Sequence, residues 1–166
     1  MTHEQVDARL RDYKRCVGRC AHLDLEIDAL KKQRGTVYER IVDEAAYASA
    51  SPPGETPHDQ TISKPTEQGA VRIENDLRAE YARIDDRIAE LEAELGQLQL
   101  TVLFVDAWVS GLTEREKWVI TRCVLDGEYL RSAAAEWNAL HGTALNKRHM
   151  QRIKNEALLK VYEMAQ

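Results

Sequence analysis

The sequence predicts an all-α protein: a long antiparallel helical hairpin of coiled-coil character, followed by a small C-terminal helix-turn-helix unit. Three observations carry this. Apolar residues recur at steps of three and four over two long stretches, as one buried helical face requires. All four prolines fall between Pro52 and Pro65, so the helical pattern must break there. Beyond Leu112 the pattern shortens to three segments separated by turn signals. Aromatic residues make up 6% and charged residues 31% of the chain, a balance that fits surface-rich helices better than a thick globular core.

The first helix is expected over residues 1–46. Val6, Leu10, Tyr13, Val17 and Cys20 form one seam, and Leu23, Ile27, Leu30, Val37 and Ile41 form a second with shifted phase. Arg34 occupies the vacant place in the second seam. Residues 47–68 read as a Pro-rich loop, longer than most connectors and flexible by composition. Within it, Thr61-Ile62-Ser63-Lys64 is a candidate docking stretch for a partner. The second long helix, 69–110, carries the most regular pattern in the chain. Leu77, Tyr81, Ile84, Ile88, Leu91, Leu95, Leu98, Val102, Val105 and Val109 alternate steps of four and three without a break. About 40 residues at 1.5 Å each would span about 60 Å. Such a stripe needs a partner: the first helix gives an antiparallel hairpin, a second copy gives a dimer, and both pairings are expected. Leu100, Leu103, Phe104 and Trp108 lie off the seam and are expected to pack on the C-terminal unit or across a symmetry axis.

Residues 111–166 form the expected helix-turn-helix unit. Thr113 and Glu116 make a capping box, so a helix starts there and runs through Trp118, Val119, Ile120, Cys123 and Val124 to an Asp126-Gly127 stop. A second helix spans Leu130 to Leu140, with small Ala133, Ala134 and Ala135 permitting close approach of a neighbour. His141-Gly142-Thr143 reads as the turn and Asn146 as the N-cap of the third helix. That helix buries Met150, Ile153, Ala157, Leu158 and Val161.

Charge singles out the third helix. Residues 111–166 hold nine Lys/Arg against seven Asp/Glu, net +2, whereas residues 1–110 hold fourteen against twenty-one, net −7. Between Trp137 and Asn155 there is no acid. With Met150 and Ile153 inward, Lys147, Arg148, Gln151, Lys154 and Asn155 lie mainly outward, with Arg152 near the boundary. Arg and Lys suit phosphates and guanine edges, and Gln and Asn suit adenine edges. Asn146, Lys147, Arg148, Gln151, Arg152, Lys154 and Asn155 are therefore the candidate DNA-binding residues. The competing reading is a solvated basic face on an ordinary helical bundle.

Leu112, Thr113, Glu116, Asp126, Gly127, Ala134, Ala135, Arg152, Ile153, Ala157, Leu158 and Lys160 fall where region four of the bacterial sigma factors has its opening, its turn, its small-residue helix and its closing run. The C-terminal unit resembles that region, with a longer turn, HGTALN, before the last helix. The whole chain resembles phage transcriptional regulators of the RinA/ArpU type, which join a long helical N-terminal part to a sigma-like unit. The resemblance implies late-gene activation, double-stranded DNA as a partner, and contact with bacterial RNA polymerase.

Other classes find less support. The pattern of an enzyme is missing: there is no phosphate loop, no triad order and no metal-spaced cluster, so neither catalysis nor a cofactor is expected. Cys16 and Cys20 sit one helical turn apart without further ligands, which favours packing over metal binding. The polar N-terminal segment lacks a signal-peptide pattern and no apolar run reaches membrane-helix length, so a cytoplasmic protein of a bacterial host cell is expected. Three functions stay open. The first is a sequence-specific transcriptional regulator, dimerising through its long helices. The second is a DNA-packaging protein like the small terminase subunits. The third is a coiled-coil interaction adaptor without a DNA target.

Overall fold

The computed structural model describes residues 1–49 and 63–166. Residues 50–62, which hold most of the expected Pro-rich loop and half of the Thr61-Ile62-Ser63-Lys64 stretch, lie outside the described residues. The fold is all-α, with no strand among the described residues. Its elements are α1 (His3–Ser49), α2 (Ser63–Ser110), α3 (Glu114–Ile120), a π-helical segment Thr121–Leu125, α4 (Leu130–His141) and α5 (Lys147–Met164). The two long helices pack against each other. Helix α2 starts at Ser63, earlier than residue 69, because Pro65 falls in the first turn, where its missing N–H costs no intrahelical bond.

The described chain divides into two compact units. The first comprises His22–Leu95. Here Leu23, Ile27 and Val37 of α1 and Leu77, Ile84, Ile88 and Leu91 of α2 are buried along the expected seams. Glu26 pairs with Arg87 (3.4 Å), while Tyr38 meets Tyr81 (ring centroids 6.3 Å apart), so the two segments run antiparallel. Arg34, half-buried at the gap in the seam, directs its guanidinium to Asp85.

The second unit comprises Met1–Ala21 and Gly96–Gln166. The helix-turn-helix residues thus share one unit with the start of α1 and the end of α2. Its larger core joins Val6 and Leu10 of α1, Val105 and Trp108 of α2, Leu112, Ile120 of α3, and Ala157 and Val161 of α5. The smaller core lies within the helix-turn-helix itself: Val119, Cys123, Ala133, Ala134, Trp137, Met150 and Ile153. Polar contacts fasten the outer rim. Tyr162 Oη donates to Asp7 (2.7 Å) while its ring stacks on His3 (centroids 4.2 Å), and Tyr13 Oη donates to Asp106 (2.7 Å).

One seam position differs from expectation. Val17 is exposed and Cys16 is buried. Both are apolar and adjacent, so periodicity alone admits either; burial of Cys16 moves the three-residue step that shifts the phase to between Tyr13 and Cys16. Of the four apolar residues off the α2 seam, Trp108 enters the larger core, whereas Leu100, Leu103 and Phe104 stay exposed.

The capping pair at α3 does more than begin a helix. Glu116 Oε2 accepts from the Thr113 amide (3.0 Å) and hydroxyl (2.9 Å), and Glu116 Oε1 accepts from Lys160 Nζ of α5 (2.6 Å). Glu116 is the one charged side chain buried among the described residues. Burial by itself would raise its pKa; the Lys160 and Thr113 donors outweigh that and hold the carboxyl below its ordinary value of 4.5. Because the folded value is depressed, the stabilisation is present above the unfolded pKa and is lost as pH falls through the folded one. We expect acid unfolding to draw on this pair below about pH 4.5. Glu116→Gln should cost roughly 1.5–3 kcal/mol at neutral pH and flatten that limb of the stability–pH curve, as measured by urea titrations from pH 3 to 7.

Candidate nucleic-acid interface

The turn before α5 is built from side chains rather than from brevity. Gly142 closes α4 with φ +61°, a left-handed conformation that glycine adopts without strain. Asn138 then organises the five residues from Gly142 to Asn146. Its Nδ2 donates to the Leu145 carbonyl (2.8 Å), and its Oδ1 accepts from the Leu145 amide (2.8 Å) and the Thr143 hydroxyl (2.8 Å). Asn146 caps α5, its Oδ1 accepting from the His149 amide (3.0 Å). The start of the last helix is therefore fixed from both sides, and the longer turn is compatible with a defined helix register.

The far side of the unit is equally fixed. The π-helical segment is closed by Asp126 N donating to Thr121 O (2.8 Å), one residue further back than in an α-helix. Within it, Arg122 reaches Glu128 (3.1 Å) and Glu136 (2.8 Å) and lies over the Trp118 ring at 4.9 Å. This arginine braces the segment against α4 and is engaged in the fold. His141 likewise stacks on Trp137 (3.8 Å between centroids), a packing contact.

Along α5, burial of Met150, Ile153, Ala157 and Val161 turns the opposite face outward. Asn146, Lys147, Arg148, Gln151, Arg152 and Asn155 are exposed, and Lys154 is half-buried. The structure thus exchanges two expected positions. Arg152, expected near the boundary, is fully on the surface, its side chain 69% exposed and 3.5 Å from Glu156. Lys154, expected outward, follows Met150 by one full turn and so flanks the buried stripe. Burial dominates at Cys123 beneath it and pushes that thiol up, against the opposing pull of the Lys154 charge.

Six of the seven candidate residues come together on one surface, then, and the seventh borders it. Lys147, Arg148 and Lys154 make no ion pair among the described residues, whereas Arg152 has Glu156. Gln151 Nε2 donates to Asn155 Oδ1 (2.9 Å), one helical turn on. Two shallow open grooves flank this ridge. One is lined by Asn146, Arg148, Gln151, Arg152 and Asn155, the other by Tyr129, Arg131, Ser132, Lys147 and Gln151. Tyr129, Arg131 and Ser132 were not among the sequence candidates. They sit at the start of α4, which its alanines marked only as a packing helix. Tyr129 is 85% exposed, and Arg131 makes no ion pair among the described residues.

Such a surface offers hydrogen-bond donors and positive charge across two helix starts. It offers no converging acid, base and nucleophile, and no group of three metal-ligating side chains exists among the described residues. No helix of the described residues is long and apolar enough to cross a membrane. No family model, curated protein or solved structure matches the chain.

Proposed function

We propose that the chain is a sequence-specific DNA-binding transcriptional regulator that works as a homodimer, of the late-gene activator kind found among the phage regulators it resembles. The observation that carries the reading is the outer face of α5. Four cations lie on or beside it, three of them unpaired among the described residues, with neutral amides between them. Lys and Arg side chains left free on a helix face suit phosphate oxygens, and amides suit base edges. Concentrating that face on a chain of net charge −5 favours a local DNA contact over general coating.

Self-association is supported by Leu100 (56% exposed), Leu103 (62%) and Phe104 (45%), which follow one another on α2 of the helix-turn-helix unit. Two copies joined there would set two reading heads at a fixed spacing and multiply specificity. RNA polymerase is a further proposed partner, on the sigma-like pattern.

The test is a mobility shift with fragments of the source genome. Arg148→Ala or Lys147→Ala should each weaken binding by roughly 1–3 kcal/mol if the side chain meets a base edge, or by a smaller, sequence-independent amount if it meets phosphate. Sedimentation of the same protein should give a dimer. A ring of about eight or more copies would favour packaging, and no shift with any fragment would leave the adaptor reading.

A further inference from the structure

The geometry points to Gln151 as the residue that reads a base, with adenine as its target, and to Asn155 as the residue that holds it in position. The inference rests on the DNA-binding reading above and assigns roles within it.

Gln151 stands on the crest of α5 and lines both flanking grooves, with Arg131 and Lys147 to one side and Arg148 and Arg152 to the other. Cations on both flanks suit the two phosphate walls of a groove, which leaves the neutral amide between them to face the base edges. A primary amide carries two N–H donors and one carbonyl acceptor. Asn155 Oδ1 takes one of those donors at 2.9 Å. What remains on Gln151 is one donor and one acceptor. In the major groove, adenine alone presents an acceptor, N7, beside a donor, the N6 amino group; guanine presents two acceptors, cytosine a donor, and thymine an acceptor beside a methyl group. The restrained amide therefore fits adenine and leaves one of its groups unmatched against any other base.

The bond to Asn155 also restricts a flexible side chain before DNA arrives, which lowers the ordering cost on binding. Asn155 is exposed and its one side-chain bond is to Gln151, so its substitution tests positioning with little cost to the fold.

The experiment is selection of the full chain against randomised DNA duplexes, followed by competition titrations with single-base variants of the selected site. The wild-type protein should select a fixed A·T position. Gln151→Ala should reduce preference at that position roughly 5- to 150-fold while leaving the other selected positions in place. Gln151→Glu should shift the preference toward cytosine, whose amino group a carboxylate accepts. Asn155→Leu should broaden the same position. Asn155→Asp keeps the acceptor and should recover the preference even though its charge lowers overall affinity, a pattern that a merely helix-stabilising amide pair would not produce. An A·T position that persists unchanged in Gln151→Ala overturns the assignment, and one unchanged in Asn155→Leu overturns the positioning role. Failure of the wild-type chain to retain any duplex removes the DNA-binding reading itself, and this inference with it.

Discussion

Residues 111–166 expressed by themselves are expected not to fold cooperatively. The helix-turn-helix looks self-contained in sequence, with its own caps and turn, and its smaller core around Met150 and Trp137 lies wholly inside the segment. Its larger core does not. Val6 and Leu10 at the start of α1 and Val105 and Trp108 near the end of α2 supply half of the buried cluster that holds Ile120, Ala157 and Val161. Each such side chain contributes about 1.5–3 kcal/mol by burial. Losing four removes roughly 6–12 kcal/mol, comparable to the whole stability of an ordinary domain, about 5–15 kcal/mol. The fragment also loses the Asp7 carboxylate that accepts from Tyr162. Far-UV circular dichroism should show weak, non-cooperative melting for 111–166 and a cooperative transition for the full chain. In the full chain, Trp108→Ala should cost about 3–5 kcal/mol in urea titrations. A fragment that melts as sharply as the parent would show that the shared core contributes little.

The second large effect is expected at the surface. Reversing both Lys147 and Arg148 to glutamate should reduce DNA affinity by roughly 2–6 kcal/mol, the combined loss of two contacts of about 1–3 kcal/mol each. Both side chains are exposed and neither enters an ion pair among the described residues, so the double variant should keep its melting temperature. Fluorescence anisotropy with a labelled duplex and a thermal melt on the same samples separate the two effects. Lost binding with an unchanged melt supports a contact role. Lost binding together with a collapsed melt would mean that these cations serve the fold.

How much of this was legible beforehand varies by element, for physical reasons. The α2 seam was fully legible: all ten positions from Leu77 to Val109 are buried or half-buried, because a heptad stripe on a long helix has one place to go. The cap at Asn146 and the pairing of Thr113 with Glu116 were legible because both depend on contacts within four residues. Contacts across long separations were not. Nothing in local spacing shows that Lys160 closes onto Glu116, or that Asn138 staples the turn through Leu145. The π-helical segment was invisible for a related reason: reaching back five residues instead of four over Thr121–Leu125 leaves the apolar pattern around Cys123 nearly unchanged. Within the candidate interface, the residue types on α5 were readable, and the order of exposure of Arg152 and Lys154 was readable too. With Met150, Ile153, Ala157 and Val161 buried, about 3.6 residues per turn put Lys154 beside the stripe and Arg152 nearly opposite it, so the expectation for these two positions misplaced them on the wheel. Arg131 and Tyr129 went unseen because their place in the groove beside Lys147 and Gln151 depends on how close the start of α4 lies to the start of α5.

The salt dependence of duplex binding by the full chain tests the central claim most directly. If the α5 face meets DNA, the logarithm of affinity should fall linearly with the logarithm of salt concentration, by about 0.9 per phosphate contacted. Removing Lys147 and Arg148 together as alanines should make that slope shallower by up to about two contacts' worth. Binding with an identical slope in the alanine double variant, or no binding to any duplex at low salt, would contradict the account.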